Sequence, residues 1–264
     1  MSSQPIGVFD SGIGGLTVLR ELLARLPGES FVYFGDTARV PYGTKSAETV
    51  RRFSRENIHF LLERGVKMVV VACNTASSHA LPALESEFDV PIVGVIEPGV
   101  RAAVGATHSG RVGVIGTAAT IRSDAYPSRI RAERPDATVV SQACPLFVPL
   151  VEEGWVDSPV TMQVAREYLH VFEGSGIDTL VLGCTHYPLL KRVIGEVVGR
   201  DVVLVDSAVE TAREVAGVLG AQRIAGSGGG DFHIILSDTS PAFGGLAMRC
   251  LGRDVPDIEL VSLG

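Results

Sequence analysis

Short runs of Val, Ile and Leu alternate with longer amphipathic segments along the whole chain, and this alternation is the tightest constraint on its fold. A run that is apolar on both faces suits a strand buried on both sides, and a crossover of helical length joins such strands as parallel neighbours. The expected strands are Ile6–Asp10, Phe31–Gly35, Met68–Ala72, Ile92–Val95, Val112–Gly116, Thr138–Ala143, Thr179–Gly183, Val202–Asp206 and Phe232–Ser237. Helical length and spacing fall on Ser46–Arg64, Ser77–Phe88, Ser123–Glu133, Val160–Glu173, Leu189–Val198 and Ala208–Leu219. The fold class is therefore α/β, with mainly parallel sheets flanked by helices.

Comparing the chain with itself sharpens this. Ile6-Gly7-Val8-Phe9-Asp10-Ser11 echoes Val112-Gly113-Val114-Ile115-Gly116-Thr117, and Met68-Val69-Val70-Val71-Ala72-Cys73-Asn74-Thr75 echoes Thr179-Leu180-Val181-Leu182-Gly183-Cys184-Thr185-His186. Any parallel strand is an apolar run before a polar turn, so the repeated Cys is what favours two related units. We expect two similar lobes, residues 1–97 with 207–264 forming the first and 98–206 the second. The tail, Phe232–Ser237 followed by a helix at Pro241–Leu251, should complete the first lobe, and the Gly/Ser stretch Ala225–Gly230 reads as a surface loop.

Ligands of open α/β sheets sit at the carboxyl ends of strands. There the chain offers Asp10 and Ser11, Asp36 and Thr37, Cys73 with Asn74 and Thr75, Thr117, and Cys184 with Thr185 and His186. One Cys at a strand end is ordinarily a small buried apolar residue. Two at equivalent places in facing lobes approach a shared ligand from opposite sides. Inversion of a carbon stereocentre needs that geometry, because a proton leaves one face and another arrives on the other. A thiol with a pKa near 8.5 needs a depression of about 1.5 units, roughly 2 kcal/mol, to be half ionised at neutral pH. Each Cys starts a strand-to-helix turn whose N–H groups favour an anion by about 0.3–1 kcal/mol. Only one of the pair should be a thiolate at a time, the two titrating as a coupled unit.

Asp10-Ser11-Gly12-Ile13-Gly14-Gly15-Leu16 sets glycines where a strand becomes a helix, as a tight turn needing special backbone angles or as N–H donors for a carboxylate. It is no dinucleotide or P-loop fingerprint: G-x-G-x-x-G fails at Thr17 and no G-K-[ST] follows. Pro41-Tyr42-Gly43 lies past the second strand, either as an ordinary loop or as a cap on the ligand. His186 is placed to exchange protons with Cys184 or to bind a carboxylate. Glu152 and Glu153 fall in a short helical stretch where carboxylates usually form a solvated face.

Other function classes fit poorly. A net charge of −7, without a basic cluster, offers nothing to nucleic acid or an anionic membrane. Met1–Asp10 lacks a signal-peptide pattern and no apolar run spans a bilayer, so a cytoplasmic location and a small-molecule ligand are expected. The four cysteines, Cys73, Cys144, Cys184 and Cys250, show no metal-ligand spacing and should stay reduced thiols. Pyridoxal phosphate would require a Schiff-base lysine, but Lys45, Lys67 and Lys191 sit in settings typical of solvated lysines, favouring a cofactor-free route.

Nearly the whole chain resembles the glutamate racemases of the aspartate/glutamate racemase superfamily. The resemblance is carried by Phe9-Asp10-Ser11-Gly12-Ile13-Gly14-Gly15-Leu16, Gly35-Asp36-Thr37 with Pro41-Tyr42-Gly43, Ala72-Cys73-Asn74-Thr75-Ala76, and Leu182-Gly183-Cys184-Thr185-His186-Tyr187-Pro188. It implies two pseudo-twofold related lobes around a cleft, a homodimer, no cofactor, no metal, and a role supplying D-glutamate for peptidoglycan. It further implies that Cys73 acts on the D-enantiomer and Cys184 on the L-enantiomer. Asp10 and Asp36 would support the first thiol, Glu152 and His186 the second. Ser11, Tyr42, Gly43, Asn74, Thr75, Thr117 and Thr185, with Asp10 and His186, would contact the substrate. The Gly/Ser loop near Gly228 and the scarcity of lysine depart from the family without touching a motif. The closest rival is a racemase of aspartate or another acidic amino acid. A two-lobed amino-acid sensor is the rival from another class, although a pure binder has no use for two opposed thiols.

Overall fold

The computed structural model describes residues 4–226, 230–239, 243–255 and 257–262. Residues 227–229 of the expected Gly/Ser loop, Gly228 among them, and Pro241 and Ala242 of the expected last helix lie outside the described residues.

The strands are β1 (Ile6–Asp10), β2 (Phe31–Gly35), β3 (Met68–Val71), β4 (Ile92–Gly94), β5 (Arg111–Gly116), β6 (Thr138–Ala143), β7 (Thr179–Gly183), β8 (Val203–Val205), β9 (Phe232–Leu236) and β10 (Ile258–Leu260). They form two sheets flanked by helices, one ordered β10-β9-β2-β1-β3-β4 and the other β6-β5-β7-β8. Every pairing is parallel. The run β2-β1-β3-β4 has the same order as β6-β5-β7-β8, so the internal echo in the sequence is a repeat of topology. The tail joins the first sheet: β9 pairs with β2, and β10 forms the edge beyond it.

Every residue of β1, β2, β3 and β7 is buried. Alternate residues enter different cores. Ile6, Val8, Phe31, Met68 and Val70 pack on the side of helices Leu16–Arg25 and Ser207–Gln222. Phe9, Phe34, Val69 and Val71 pack with Ile58 and Leu61 of helix Ala47–Glu63. Each fully buried apolar side chain contributes about 1.5–3 kcal/mol, so a one-residue slip would exchange the cores and is strongly opposed. The first of these clusters continues through Ile115, Leu180 and Leu182 of the second sheet, giving the two lobes one continuous apolar seam.

Several helices differ from the sequence expectation. Ser77–Phe88 is replaced by two short helices, Asn74–His79 and Leu81–Leu84, the second with a proline in its first turn. Ser123–Glu133 becomes Ala118–Arg122 and Ala125–Glu133, broken at Asp124 with φ of 53°. Val160–Glu173 ends its α-helix at Leu169 in a 3-10 turn, and a 3-10 turn over Tyr187–Leu190 precedes helix Lys191–Val198. Lys67 was expected among solvated lysines. It is buried, with Nζ 2.5 Å from Glu29 Oε2 and donating to the Ile224 carbonyl at 2.8 Å. Among the described residues no helix is long and apolar enough to cross a membrane.

Candidate active site

Matching registers bring the two cysteines to one place. Phe9 pairs with Val71 in the first sheet and Ile115 with Leu182 in the second, and each cysteine stands two residues beyond the second member of its pair. Both are buried and line one narrow cleft between the lobes, with Ser11, Tyr42, Gly43, Asn74, Thr75, Thr117, Thr185 and His186 around them. The cleft leaves about 20 Å³ for water centres, room for one or two waters.

Two glycines let the lobes close this tightly. A Cβ on Gly14 would stand 2.4 Å from Thr185 Oγ1 and 2.5 Å from His186 Nδ1, and one on Gly43 would stand 2.7 Å from Thr117 Cβ. Neither has a positive φ, so the glycine turn serves interlobe approach rather than special backbone angles.

Cys73 caps helix Asn74–His79, accepting from the Ala76 N–H at 3.4 Å, with its Sγ 3.5 Å from Ser11 Oγ. Burial, reinforced by the nearby Asp10 carboxylate, pushes its thiol up to about 12. At Cys73 the lowering that a helix N-terminus supplies is therefore outweighed, which leaves this thiol as the protonated member of the pair. One N–H at the end of a six-residue helix is too weak to offset removal from water. Burial also raises the Asp10 carboxyl, against the opposing pull of His186 and of backbone N–H groups. Asp10 accepts from Gly12 N at 3.0 Å and from Thr185 Oγ1 at 3.4 Å, so it organises the glycine turn and reaches the second lobe.

Cys184 has a different neighbour. Its Sγ is 3.9 Å from His186 Nδ1, and His186 Nε2 is 3.2 Å from Glu152 Oε1. That second distance suits an ion pair, but the angle is not that of a hydrogen bond, and among the described residues Nε2 has no other partner. Burial alone would pull His186 down; its contacts with Cys184 and Glu152 win and push it up to about 10. Glu152 belongs to helix Phe147–Glu152 and, with Glu153, faces a neighbouring cavity of about 330 Å³ that shares Val40 with the cleft.

Asp36 makes no hydrogen bond to Cys73 among the described residues. Arg39 donates to both its oxygens at 2.9 and 2.8 Å, Ser237 Oγ donates at 3.2 Å, and the Tyr42 hydroxyl donates as well. Asn57 donates to Tyr42 at 3.0 Å. The Asp36 carboxylate therefore reaches the cleft through the buried Tyr42. Thr37 turns outward to Asp238.

Hydroxyls bridge the lobes. Thr75 and Thr117 Oγ1 are 3.0 Å apart, and Thr120, absent from the sequence expectation, lies 3.2 Å from Thr75 and 3.0 Å from Thr117. Its place three residues after Thr117, in the first turn of a helix, was the available signal. Thr17 on helix Leu16–Arg25 donates to the Thr185 carbonyl at 3.2 Å. No cluster of potential metal ligands occurs among the described residues. The site thus sets two thiols, one beside a carboxylate and one beside an imidazole, across a cleft rich in hydroxyl and amide groups.

Several known proteins match this chain over nearly its full length. A family model described as Asp/Glu/Hydantoin racemase matches residues 6–215. A glutamate racemase of Geobacter metallireducens is 56% identical over 265 residues, covering 100% of this chain and 98% of the relative. The crystal structure of glutamate racemase from Francisella tularensis in complex with D-glutamate aligns at a TM-score of 0.93 and 37% identity, covering 99% of this chain and 98% of that one. The structure of glutamate racemase from Thermus thermophilus in complex with beta-chloro-D-alanine aligns at a TM-score of 0.87 and 50% identity, covering 99% and 98%. On the full-length match, the two parallel sheets and the paired thiols, the chain belongs to the Asp/Glu/Hydantoin racemase family.

Proposed function

We propose that this racemase interconverts L- and D-glutamate without a cofactor, with Cys73 and Cys184 as its two acid/base groups. The observation that carries the reading is the pair of buried thiols at matching strand ends of two sheets, lining one cleft. From L-glutamate, Cys184 as thiolate takes the α-proton, the electron pair stays on the planar α-carbon, and the Cys73 thiol protonates the opposite face. D-glutamate leaves a Cys73 thiolate and a Cys184 thiol, the form that reacts with the D-enantiomer. On this reading His186 and Glu152 support Cys184, Asp10 supports Cys73, and Asp36 acts through Tyr42. Ser11, Tyr42, Gly43, Asn74, Thr75, Thr117 and Thr185, with Asp10 and His186, hold the two carboxylates and the ammonium.

The proposal includes the division into lobes at 1–97 with 207–264 and 98–206. Supporting it, helix Ile96–Ala106 packs on helix Ala125–Glu133 and on β7 and β8. It also includes a homodimer in the cytoplasm and delivery of D-glutamate to peptidoglycan, as the family resemblance implies.

Racemisation in deuterium oxide tests the mechanism. Starting from either enantiomer, early product should carry deuterium at the α-carbon while recovered substrate carries none. Cys73→Ser and Cys184→Ser should each abolish turnover of both enantiomers with the fold intact. Full activity in either variant, or label in early recovered substrate, would count against two opposed bases, and turnover of aspartate alone would reject the substrate.

A further inference from the structure

Tyr126, in helix Ala125–Glu133 of the second lobe, is fully buried, yet its hydroxyl crosses to the first lobe and donates to Asn74 Oδ1 at 2.7 Å. The ring has a fitted socket: a Cβ on Gly99 would come within 3.0 Å of its hydroxyl and one on Gly183 within 3.2 Å of its Cε2. Gly183 directly precedes Cys184, and Asn74 directly follows Cys73. One side chain therefore touches the strand ends that carry both thiols.

The hydrogen bond has a chemical consequence. A side-chain amide accepts on its oxygen and donates from its nitrogen, in opposite directions. With Oδ1 held by the phenol, the Asn74 NH2 is turned away from Tyr126, and Asn74 lines the cleft. Among the described residues that NH2 donates to no other protein group. A donor held in a closed cleft is matched by a carboxylate oxygen. Burial holds the Tyr126 hydroxyl protonated, so it remains a donor throughout the working pH range.

We propose that Tyr126 is a positioning residue that fixes the Asn74 amide across the lobe junction, so that its NH2 receives one carboxylate of the substrate. The proposal rests on the reading of the cleft as a glutamate site and adds a residue that never touches the ligand.

A double-mutant cycle tests it: kcat and KM for both enantiomers of glutamate in the wild type, Tyr126→Phe, Asn74→Ala and the double variant. Phe keeps the ring in its socket and removes only the hydroxyl. Loss of one neutral hydrogen bond corresponds to roughly a two- to tenfold effect. Tyr126→Phe should therefore raise KM by about that factor with kcat within about twofold of wild type. The double variant should match Asn74→Ala alone, because the phenol acts only through the amide. An unchanged KM in Tyr126→Phe, or effects that multiply in the double variant, overturns the positioning role, since a packing role would be independent of Asn74. If Tyr126→Phe fails to fold, side-chain NMR of the wild type decides: an Asn74 NH2 that is rigid before ligand is added and shifts when glutamate binds supports the proposal, and a freely moving NH2 overturns it. A wild type inactive on glutamate instead rejects the underlying reading.

Discussion

Cys73 and Cys184 occupy the same position in two copies of one topology, but their surroundings make them chemically unlike. Burial and Asp10 push Cys73 up to about 12, so in the closed site it holds its proton. Beside Cys184, His186 is pushed up to about 10 despite its burial, by contact with Cys184 and Glu152. On the proposed mechanism, a proton donor at Cys73 and an imidazolium beside Cys184 would suit the direction that starts from L-glutamate. Because the folded-state pKa of His186 is raised above the ordinary value near 6.5, proton binding favours the folded state. Its stabilisation is full below about pH 6.5 and lost as pH rises through about 10, with a size on the order of a few kcal/mol. The unfolding free energy in urea should therefore fall more steeply between pH 7 and 10 in the wild type than in His186→Asn; equal slopes would mean that His186 is not held charged. Cys73, Cys184, Asp10 and His186 were legible because strand ends and a repeat mark them. Glu152 was not, since its helical spacing is that of a solvated face and only the fold brings it to His186. Which thiol holds its proton was not legible, because a sequence displays a helix N-terminus but not the burial that outweighs it at Cys73.

The elements that set the site are the glycine turn after β1 and the loop after β2, each pressed against the other lobe. Gly14 leaves no room for a Cβ beside Thr185 and His186. Gly14→Ala should therefore push the imidazole from its 3.9 Å approach to Cys184, and displacements near 1 Å commonly cost about 100-fold in rate. We expect kcat/KM to fall by about 10- to 100-fold, and the overpacking, at about 1–3 kcal/mol, to lower the thermal midpoint by several degrees. Enantiomers are equal in free energy, so the loss must be the same from L- and D-glutamate. Activity within twofold of wild type would show that the turn has slack. The nine expected strands were legible to within a residue or two because most of them are apolar on both faces. Helix Ile96–Ala106 was missed because Pro98, Gly99 and Gly105 give it poor intrinsic propensity; packing of Ile96, Val100 and Ala103 on the second sheet holds it. Strand β10 is a three-residue edge, half exposed, and too short to show a period.

At the scale of the whole molecule, the cleft that joins the lobes is too small for its ligand. With about 20 Å³ for water centres, it admits one or two waters, so glutamate binds only when the strand ends part. The polar contacts that cross the cleft include Thr75 to Thr117 and Thr120, Thr17 to the Thr185 carbonyl, Thr185 to Asp10 and Tyr126 to Asn74, and opening must loosen some of them. Each is worth about 0.5–1.5 kcal/mol, little enough to open on a catalytic timescale. Once seated, the ligand replaces those contacts with its own to both sheets, and unfolding of either lobe destroys the site. Glutamate at about 100 times its Kd should therefore oppose unfolding by about 2.7 kcal/mol. For a chain of this size that corresponds to roughly 5–10 °C in thermal midpoint. Calorimetry with either enantiomer should show a single transition moved as a whole, because the apolar seam and the ligand both couple the lobes. A shift confined to part of the transition would mean that one lobe alone holds the ligand, and the two thiols would then not share one carbon.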